Sequence, residues 1–315
     1  MNLISKRVDN ITDMKPHQRV SAPPCPKSVK IELTARCNFA CAFCASANKL
    51  RKKGDMDWGF YSKTLLPQLR AAGVEEVGMF FLGESFLLDW LPEAIAEAKR
   101  QGFPYVFLTT NGAAATPEKI ERCMAAGLDS LKFSLNYANK EQFESVARVN
   151  GKLFDRMIEN IKEAHRIRQA NGYDCGLYAS YIAYDGEQGD KMAKIIAELS
   201  PYLDEVYALP LYSQAALTGA EEEKRGWTVR AGNPGRAANM RQPIPCWSIF
   251  TEGRVTYDGH LTACCFDHDG RFHMGDLNKE PFTQAWHSEE FQKLRAAHLA
   301  GELIGTPCEK CVAYN

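Results

Sequence analysis

Between residues 29 and 209, short runs rich in β-branched and aromatic residues alternate with longer helical stretches. This alternation predicts repeated βα units around a parallel sheet. Six strands are predicted, at residues 29–33, 77–81, 105–108, 130–135, 177–182 and 205–209. Six units are too few to close an eight-stranded barrel. The predicted fold class is therefore α/β, a partial (βα)6 TIM-like barrel with its functional residues at the C-terminal ends of the strands.

The remainder of the chain differs in character from this barrel region. Helices are predicted between the strands, at residues 58–72, 91–101, 117–126, 154–171 and 189–199. After residue 211 a charged stretch is interrupted by several glycines and prolines, which is typical of a linker. We therefore predict an N-terminal extension at 1–28, the barrel at 29–211, a linker at 212–245 and a small cysteine-rich domain at 246–315.

Composition argues against two classes of partner. The 315 residues are 45% apolar and carry a formal net charge of -1, so no broad basic surface is available for a nucleic-acid backbone. No run of 18 apolar residues occurs, and the first 27 residues lack the apolar stretch of a secretory signal. We expect a cytoplasmic protein that binds neither nucleic acid nor membrane.

Cysteine usage is the most informative part of the composition, because 11 cysteines are many for a cytoplasmic protein. Three of them, Cys37, Cys41 and Cys44, form a CxxxCxxC motif directly after the first predicted strand. Three thiolates on one loop can hold three irons of a four-iron cluster, and the missing fourth ligand leaves one iron open to a small molecule. The alternatives are buried free thiols or a zinc site, for which Cys25 could be the fourth ligand.

A second set of four cysteines lies near the C-terminus. Cys246 and Cys264 flank two β-like arms around the turn residues Asp258 and Gly259, and a CxxC motif supplies Cys308 and Cys311. A helical stretch from about 281 to 300 precedes that motif. Four ligands would close the site, as a fully ligated iron–sulfur cluster or as a structural zinc site, and spacing alone cannot separate the two.

The first motif, with Phe43 before its last cysteine, resembles the signature of the radical S-adenosylmethionine (SAM) superfamily, over roughly residues 29–209. The resemblance implies that SAM chelates the open iron of a SAM-cleaving [4Fe-4S] cluster and yields a 5′-deoxyadenosyl radical. That radical takes a hydrogen atom from the substrate. The cofactor supplies the difficult chemistry, and the protein positions the substrate.

The same resemblance implies residues that bind the cofactor. Gly83 and Glu84 resemble the family's GGEP loop, although Leu82 and Ser85 depart from it; the alternative is a plain strand-ending turn. Ser134 and Arg148 resemble the serine and arginine that hold the SAM carboxylate, or they are a capping serine and a surface arginine. The remaining residues of this kind are Phe43 and Asn111, although Asn111-Gly112 is also a common turn.

The C-terminal segment, from Cys246 onwards, resembles the shortened SPASM domain that is called a twitch domain. Its Gly275-Asp276-Leu277 step and the helix with Trp286 match that family. The resemblance implies a second, auxiliary [4Fe-4S] cluster held by Cys246, Cys264, Cys308 and Cys311. An electron donor such as flavodoxin or ferredoxin is expected as a partner.

We interpret the auxiliary cluster as an electron acceptor. The leading hypothesis is therefore oxidation (dehydrogenation) of a small polar or sugar-like molecule, by analogy with dehydrogenases of aminocyclitol alcohols in the family. The alternatives are an epimerase in which Cys265 returns a hydrogen atom, and a maturase that modifies a ribosomal peptide. A zinc-binding interaction module is the alternative without catalysis.

Overall fold

The structure, a computed structural model, describes residues 3–184, 186–212, 214–227 and 244–311. It confirms the six strands of the barrel. Each strand pairs in parallel with the next along the chain, so their C-terminal ends lie at one edge. The strands are β1 (Ser28–Ile31), β2 (Glu76–Gly78), β3 (Tyr105–Thr110), β4 (Ser130–Ser134), β5 (Gly176–Ile182) and β6 (Glu205–Leu209).

All five predicted barrel helices are present, the first with a π-helical start at Phe60–Leu65. The stretch predicted as one helix over 281–300 is two helices, because the Ser288 hydroxyl accepts from the Phe291 N–H and begins a new one. The helices are α1 (Ile4–Thr12), α2 (Leu66–Ala71), α3 (Leu91–Arg100), α4 (Pro117–Ala125), α5 (Lys140–Ala147), α6 (Lys152–Asn171), α7 (Glu187–Leu199), α8 (Gly219–Arg225), α9 (Ser248–Thr251), α10 (Phe282–Trp286) and α11 (Glu289–Ala300).

The cysteine-rich segment continues the sheet of the barrel. Its strands are β7 (Glu252–Val255), β8 (His260–Thr262) and β9 (His273–Asp276), and the sheet order is β6-β5-β4-β3-β2-β1-β7-β8-β9. The predicted hairpin is confirmed as the antiparallel pair β7–β8, while β7 also pairs in parallel with β1. The division at 212–245 stays a prediction, and residues 213 and 228–243 of it lie outside the described part of the chain.

Helix α1 was not predicted, and it closes the amino-terminal end of the barrel. The Ser5 N–H donates to Glu205 over 3.1 Å, and the guanidinium of Arg7 lies 3.4 Å from the centre of the Tyr105 ring and pairs with Glu76. These partners are the first residues of β2, β3 and β6. Helix α1 therefore covers the end of the barrel opposite the cysteine loop.

Glu76 provides a test of this closure. Burial raises the pKa of its carboxyl from 4.5 to about 7, although Arg7 opposes the shift, and the side chain is only 14% exposed. A carboxyl whose pKa is raised in the folded state contributes stability that is fully present below its unfolded-state pKa. That stability is lost as the pH rises through its folded-state pKa. Between about pH 5 and pH 8 we expect the wild type to lose up to about 3 kcal/mol relative to Glu76→Gln, measured by urea unfolding.

The neighbouring Glu75 is the matched control. It pairs with Lys27 at the surface, where its side chain is 55% exposed, so Glu75→Gln should keep the pH dependence of the wild type. Parallel stability curves for all three proteins would contradict the prediction.

No helix among the described residues has both the length and the apolar character needed to cross a membrane.

Candidate active site

The loop with the first three cysteines is held against the end of α5. The N–H groups of Ala40 and Ala42 donate to Ala147 and Val146 over 3.1 and 2.8 Å, and the Cys44 N–H donates to the Cys41 carbonyl over 2.9 Å. The backbone of the loop is thus ordered by contacts other than its thiols. Cys37, Cys41 and Cys44 all lie beyond the C-terminal end of β1, where the sequence predicts an iron–sulfur site.

The thiols of this loop are strongly desolvated. Burial, with smaller contributions from Glu84 and Cys44, raises the pKa of Cys37 to about 12. Burial, together with Cys44, also raises the pKa of Cys41 well above its usual range. In the absence of metal these groups are neutral thiols. The positive charge of bound iron is what would deprotonate them.

Gly83 and Glu84 form a close crossing with the backbone segment between β1 and this loop. A Cβ added at Gly83 would lie 2.0 Å from the carbonyl oxygen of Thr34 and 2.7 Å from that of Arg36. The Glu84 N–H donates to the Arg36 carbonyl over 2.8 Å. Only glycine allows this approach of the two backbones, so Gly83 positions the cysteine loop as well as the predicted SAM loop.

Replacing Gly83 by Ala should therefore displace the cysteine loop. Because the clash is with backbone atoms, we expect SAM cleavage to fall about 100-fold, measured as 5′-deoxyadenosine formation. Gly219→Ala is the matched control, since nothing lies within 4 Å of a Cβ at Gly219. Wild-type cleavage by the Gly83 variant would show that this crossing does not position the site.

Glu84 and Asn111 connect the predicted SAM loop with neighbouring strand ends. The buried Glu84 carboxylate accepts from the Phe86 N–H, the Thr110 hydroxyl and the Asn111 N–H over 3.1, 2.9 and 2.8 Å. The Asn111 amide donates to Asn38 over 2.8 Å and lies 3.9 Å from the Cys37 sulfur. Both residues therefore tie the loops of the site together, and their contact with SAM stays a prediction.

Ser134 and Arg148 are less tightly connected to the cysteine loop. Ser134 is the last residue of β4, at the end of the barrel where the site lies. Arg148 follows α5, and its guanidinium lies 2.6 Å from a carboxylate oxygen of Glu221 in α8. A SAM carboxylate would compete with Glu221 for this arginine. The assignment of Ser134 and Arg148 to SAM stays a prediction.

Tyr137 is a contact that the sequence pattern did not predict. Its side chain follows β4 and is buried, and its hydroxyl lies 3.0 Å from the sulfur of Cys41. Its ring also lies 6.2 Å from that of Phe43, the aromatic residue of the motif. An iron-bound Cys41 thiolate would accept a hydrogen bond from this hydroxyl.

The second cysteine set lines a single cavity of about 290 Å³. Burial and the neighbouring Cys246 and Cys311 raise the pKa of Cys308 well above its usual range. The pKa of Cys264 is raised by a hydrogen bond with Cys265 and by burial, and the nearby Cys308 adds a smaller contribution. Cys246, Cys264, Cys308 and Cys311, which are up to 65 positions apart by their numbers, therefore meet. The cavity also contains aromatic and aliphatic side chains.

The same four cysteines could in principle hold a single zinc ion or a four-iron cluster. In the described part of the chain, no three His, Cys, Asp or Glu side chains converge on a point that would hold one metal ion. A zinc site requires four ligands within about 2.3 Å of the ion, whereas a four-iron cluster attaches each thiolate to a different iron.

Cys265, the candidate hydrogen donor of the epimerase alternative, lines the same cavity. A hydrogen bond from the Cys264 thiol, with Arg254 and Lys30 nearby, lowers the pKa of Cys265. An iron-bound Cys264 has no proton to donate, so this shift belongs to the metal-free protein. The structure places Cys265 beside the second cysteine set, and its catalytic role stays a prediction.

Two family models match the chain. The model described as "Radical SAM superfamily" matches residues 31–199. The SPASM model, described as "Iron-sulfur cluster-binding domain", matches residues 246–312. Together they contain both cysteine sets.

Similar proteins include two enzymes of known class and one solved structure. A PqqA peptide cyclase of Xanthomonas campestris pv. campestris (strain B100) is 32% identical, over 93% of this chain and 81% of that protein. A probable GTP 3′,8-cyclase of Sulfolobus acidocaldarius is 31% identical, over 89% of this chain and 93% of that protein. Streptococcus suis SuiB bound to precursor peptide SuiA has a TM-score of 0.66 at 14% identity, over 97% and 79% of the two chains.

Proposed function

Because this chain belongs to the radical SAM superfamily and carries a SPASM domain, we propose that it modifies a peptide substrate. Its cofactors are SAM and iron–sulfur clusters. Peptide modification was an alternative to the oxidation of a small polar molecule, and the similarity to PqqA peptide cyclases supports it better than the leading hypothesis.

The cavity at the second cysteine set is the structural observation that carries the proposal. It reaches from the four cysteines to Phe80 and Phe81, directly before the Gly83 loop, and to Tyr212 beyond β6. Such an aromatic lining, at the carboxyl ends of the strands, suits one side chain of a peptide. The auxiliary cluster and a substrate group would share its volume of about 290 Å³.

The same cavity is less suited to a nucleotide, the substrate class named for the archaeal relative. Its lining contains two basic side chains, Lys30 and Arg254. Lys30 donates to a Glu252 carboxylate oxygen over 2.9 Å, and Arg254 pairs with the same carboxylate. Both positive charges are therefore partly neutralised within the protein, whereas a triphosphate requires cations that are available to it.

Within this proposal the residues divide between two cluster sites. Cys37, Cys41 and Cys44 would hold the SAM-cleaving cluster, and Cys246, Cys264, Cys308 and Cys311 would hold the auxiliary one. When bound, the first cluster and SAM supply a 5′-deoxyadenosyl radical that takes a hydrogen atom from the substrate. Helix α1 closes the far end of the barrel, so the peptide segment enters from the carboxyl ends of the strands.

Deuterium transfer tests the substrate class even while the substrate itself is unidentified. An extract of source cells grown in D2O is separated into a peptide fraction and a small-molecule fraction, and each is added to reconstituted enzyme with SAM and a reductant. We expect deuterated 5′-deoxyadenosine from the peptide fraction, and we expect protease treatment of that fraction to remove the effect. Transfer only from the small-molecule fraction, insensitive to protease, would contradict the proposal.

Oxidation of a small polar molecule is the second candidate. The closure of the barrel by α1 favours it, because a lumen with one entrance can enclose a whole small substrate. The deuterium experiment distinguishes the two candidate functions. The same assay with GTP as the only added substrate tests the nucleotide class. A flavodoxin or ferredoxin is proposed as the electron donor in either case.

A further inference from the structure

His298 connects two of the cysteines at the second site. It lies on α11 and is fully buried. Its Nδ1 accepts the backbone N–H of Cys246 over 3.4 Å, and its Nε2 lies 3.3 Å from the sulfur of Cys308. One imidazole therefore bridges residues that are 62 positions apart by their numbers. The sequence pattern did not predict this contact.

The two contacts together determine where the imidazole carries its proton. A nitrogen that accepts an N–H cannot also carry a hydrogen in the same plane, so Nδ1 is the unprotonated nitrogen. In the neutral ring the proton is then on Nε2. Nε2–H faces Cys308, whose sulfur is an acceptor once it binds iron as a thiolate.

We propose that His298 is a positioning residue that raises the reduction potential of the auxiliary cluster by donating a hydrogen bond to the sulfur of Cys308. Hydrogen bonds to cluster sulfurs are one of the factors that set cluster potentials. A donor stabilises the reduced cluster more than the oxidised one, because the reduced cluster is more negative. His298 therefore makes this cluster a better electron acceptor, whichever substrate the enzyme takes.

The neighbouring residues support a fixed imidazole position. Arg295, one turn before His298, is fully buried and donates to the carbonyls of Ile249 and Trp286 over 2.8 and 2.7 Å. Its guanidinium also stacks 3.6 Å from the centre of the Phe291 ring. The buried face of α11 is thus anchored beside Cys246 and Cys308, so the imidazole cannot easily turn away from the sulfur.

Potentiometric titration of the reconstituted full-length enzyme, followed by EPR spectroscopy, tests the proposal. Added SAM changes the signal of the SAM-cleaving cluster and so distinguishes it from the auxiliary signal. For His298→Leu we expect about tenfold less reduced auxiliary cluster, relative to oxidised, at a fixed potential, equal to about 59 mV for a one-electron couple. His298→Gln is the matched variant, because its amide can still donate to the sulfur, and we expect a change of less than about threefold.

The SAM-cleaving cluster is the internal control and should keep its potential in both variants. An unchanged auxiliary potential in His298→Leu, or an equal loss in His298→Gln, would overturn the proposal. If the Leu variant fails to hold the cluster, pulsed EPR of wild-type enzyme with ¹⁵N-labelled histidine decides the question. A ¹⁵N coupling to the reduced auxiliary cluster supports the hydrogen bond, and its absence excludes it.

Discussion

Replacing Cys37, Cys41 and Cys44 together by Ala should abolish SAM cleavage and reduce the iron content from about eight atoms per chain to about four. These cysteines are the predicted ligands of the SAM-cleaving cluster, and they share one loop beyond β1. The loop backbone is held to the end of α5 through the N–H groups of Ala40 and Ala42. Loss of the thiols should therefore remove the cluster without unfolding the barrel.

The measurement is iron and sulfide content after anaerobic reconstitution, with 5′-deoxyadenosine formation assayed on the same samples. Cys123→Ala is the matched control, because Cys123 is a buried cysteine of α4 that belongs to neither set. This control should keep all its iron and its cleavage activity. If the triple variant kept about eight irons, or still cleaved SAM, the first cysteine set would not be the site of cleavage.

Replacing Cys308 by Ala should block formation of the modified substrate while SAM cleavage continues. Cys308 lies after α11, and the cavity it lines is formed largely by the C-terminal segment. Its loss removes a ligand of the auxiliary cluster but leaves the cysteine loop at β1 intact. We expect SAM cleavage to stay within about threefold of wild type, while formation of the modified substrate falls below detection.

The decisive comparison is between 5′-deoxyadenosine and the substrate product, both measured by mass spectrometry in the extract fraction that transfers deuterium. In Cys308→Ala the first should continue to form without the second. Loss of SAM cleavage in this variant as well would show that the two cysteine sets do not have separate roles. Formation of normal product would show that the auxiliary cluster is not needed for turnover.

Local patterns in the sequence predicted the barrel, because its strands and helices are separate periodic runs. The residues of β6, 205–209, were predicted with the bounds that the structure has. Helix α1 was missed although Ile4, Val8 and Ile11 follow a helical period, because the charged residues among them resemble a polar extension. A helical period indicates a helix only weakly when it extends over nine residues. The contact of this helix with Glu205 is a tertiary contact, which local sequence does not predict.

The functional residues in local motifs were predicted from the sequence, whereas those that meet only through tertiary packing were not. Motif spacing predicted which cysteines could share a metal cofactor, since the CxxxCxxC and CxxC motifs are local. The contact of Tyr137 with Cys41 and that of His298 with Cys246 depend on how separate elements pack. Nothing in the local sequence distinguishes these two side chains from packing residues. The pairing of Arg148 with Glu221 is of the same kind.

The parallel pairing of β1 with β7 has a consequence for how the chain folds during synthesis. Lys30 and Glu252, which meet across this pair, are 222 positions apart. At about 5–20 residues per second, a ribosome needs on the order of 10 to 45 s to make the intervening chain. Throughout that time one edge of β1 has no strand beside it, and such an edge invites pairing with another chain. The nascent barrel therefore keeps an open strand edge until β7, which belongs to the segment with the second cysteine set, has been made.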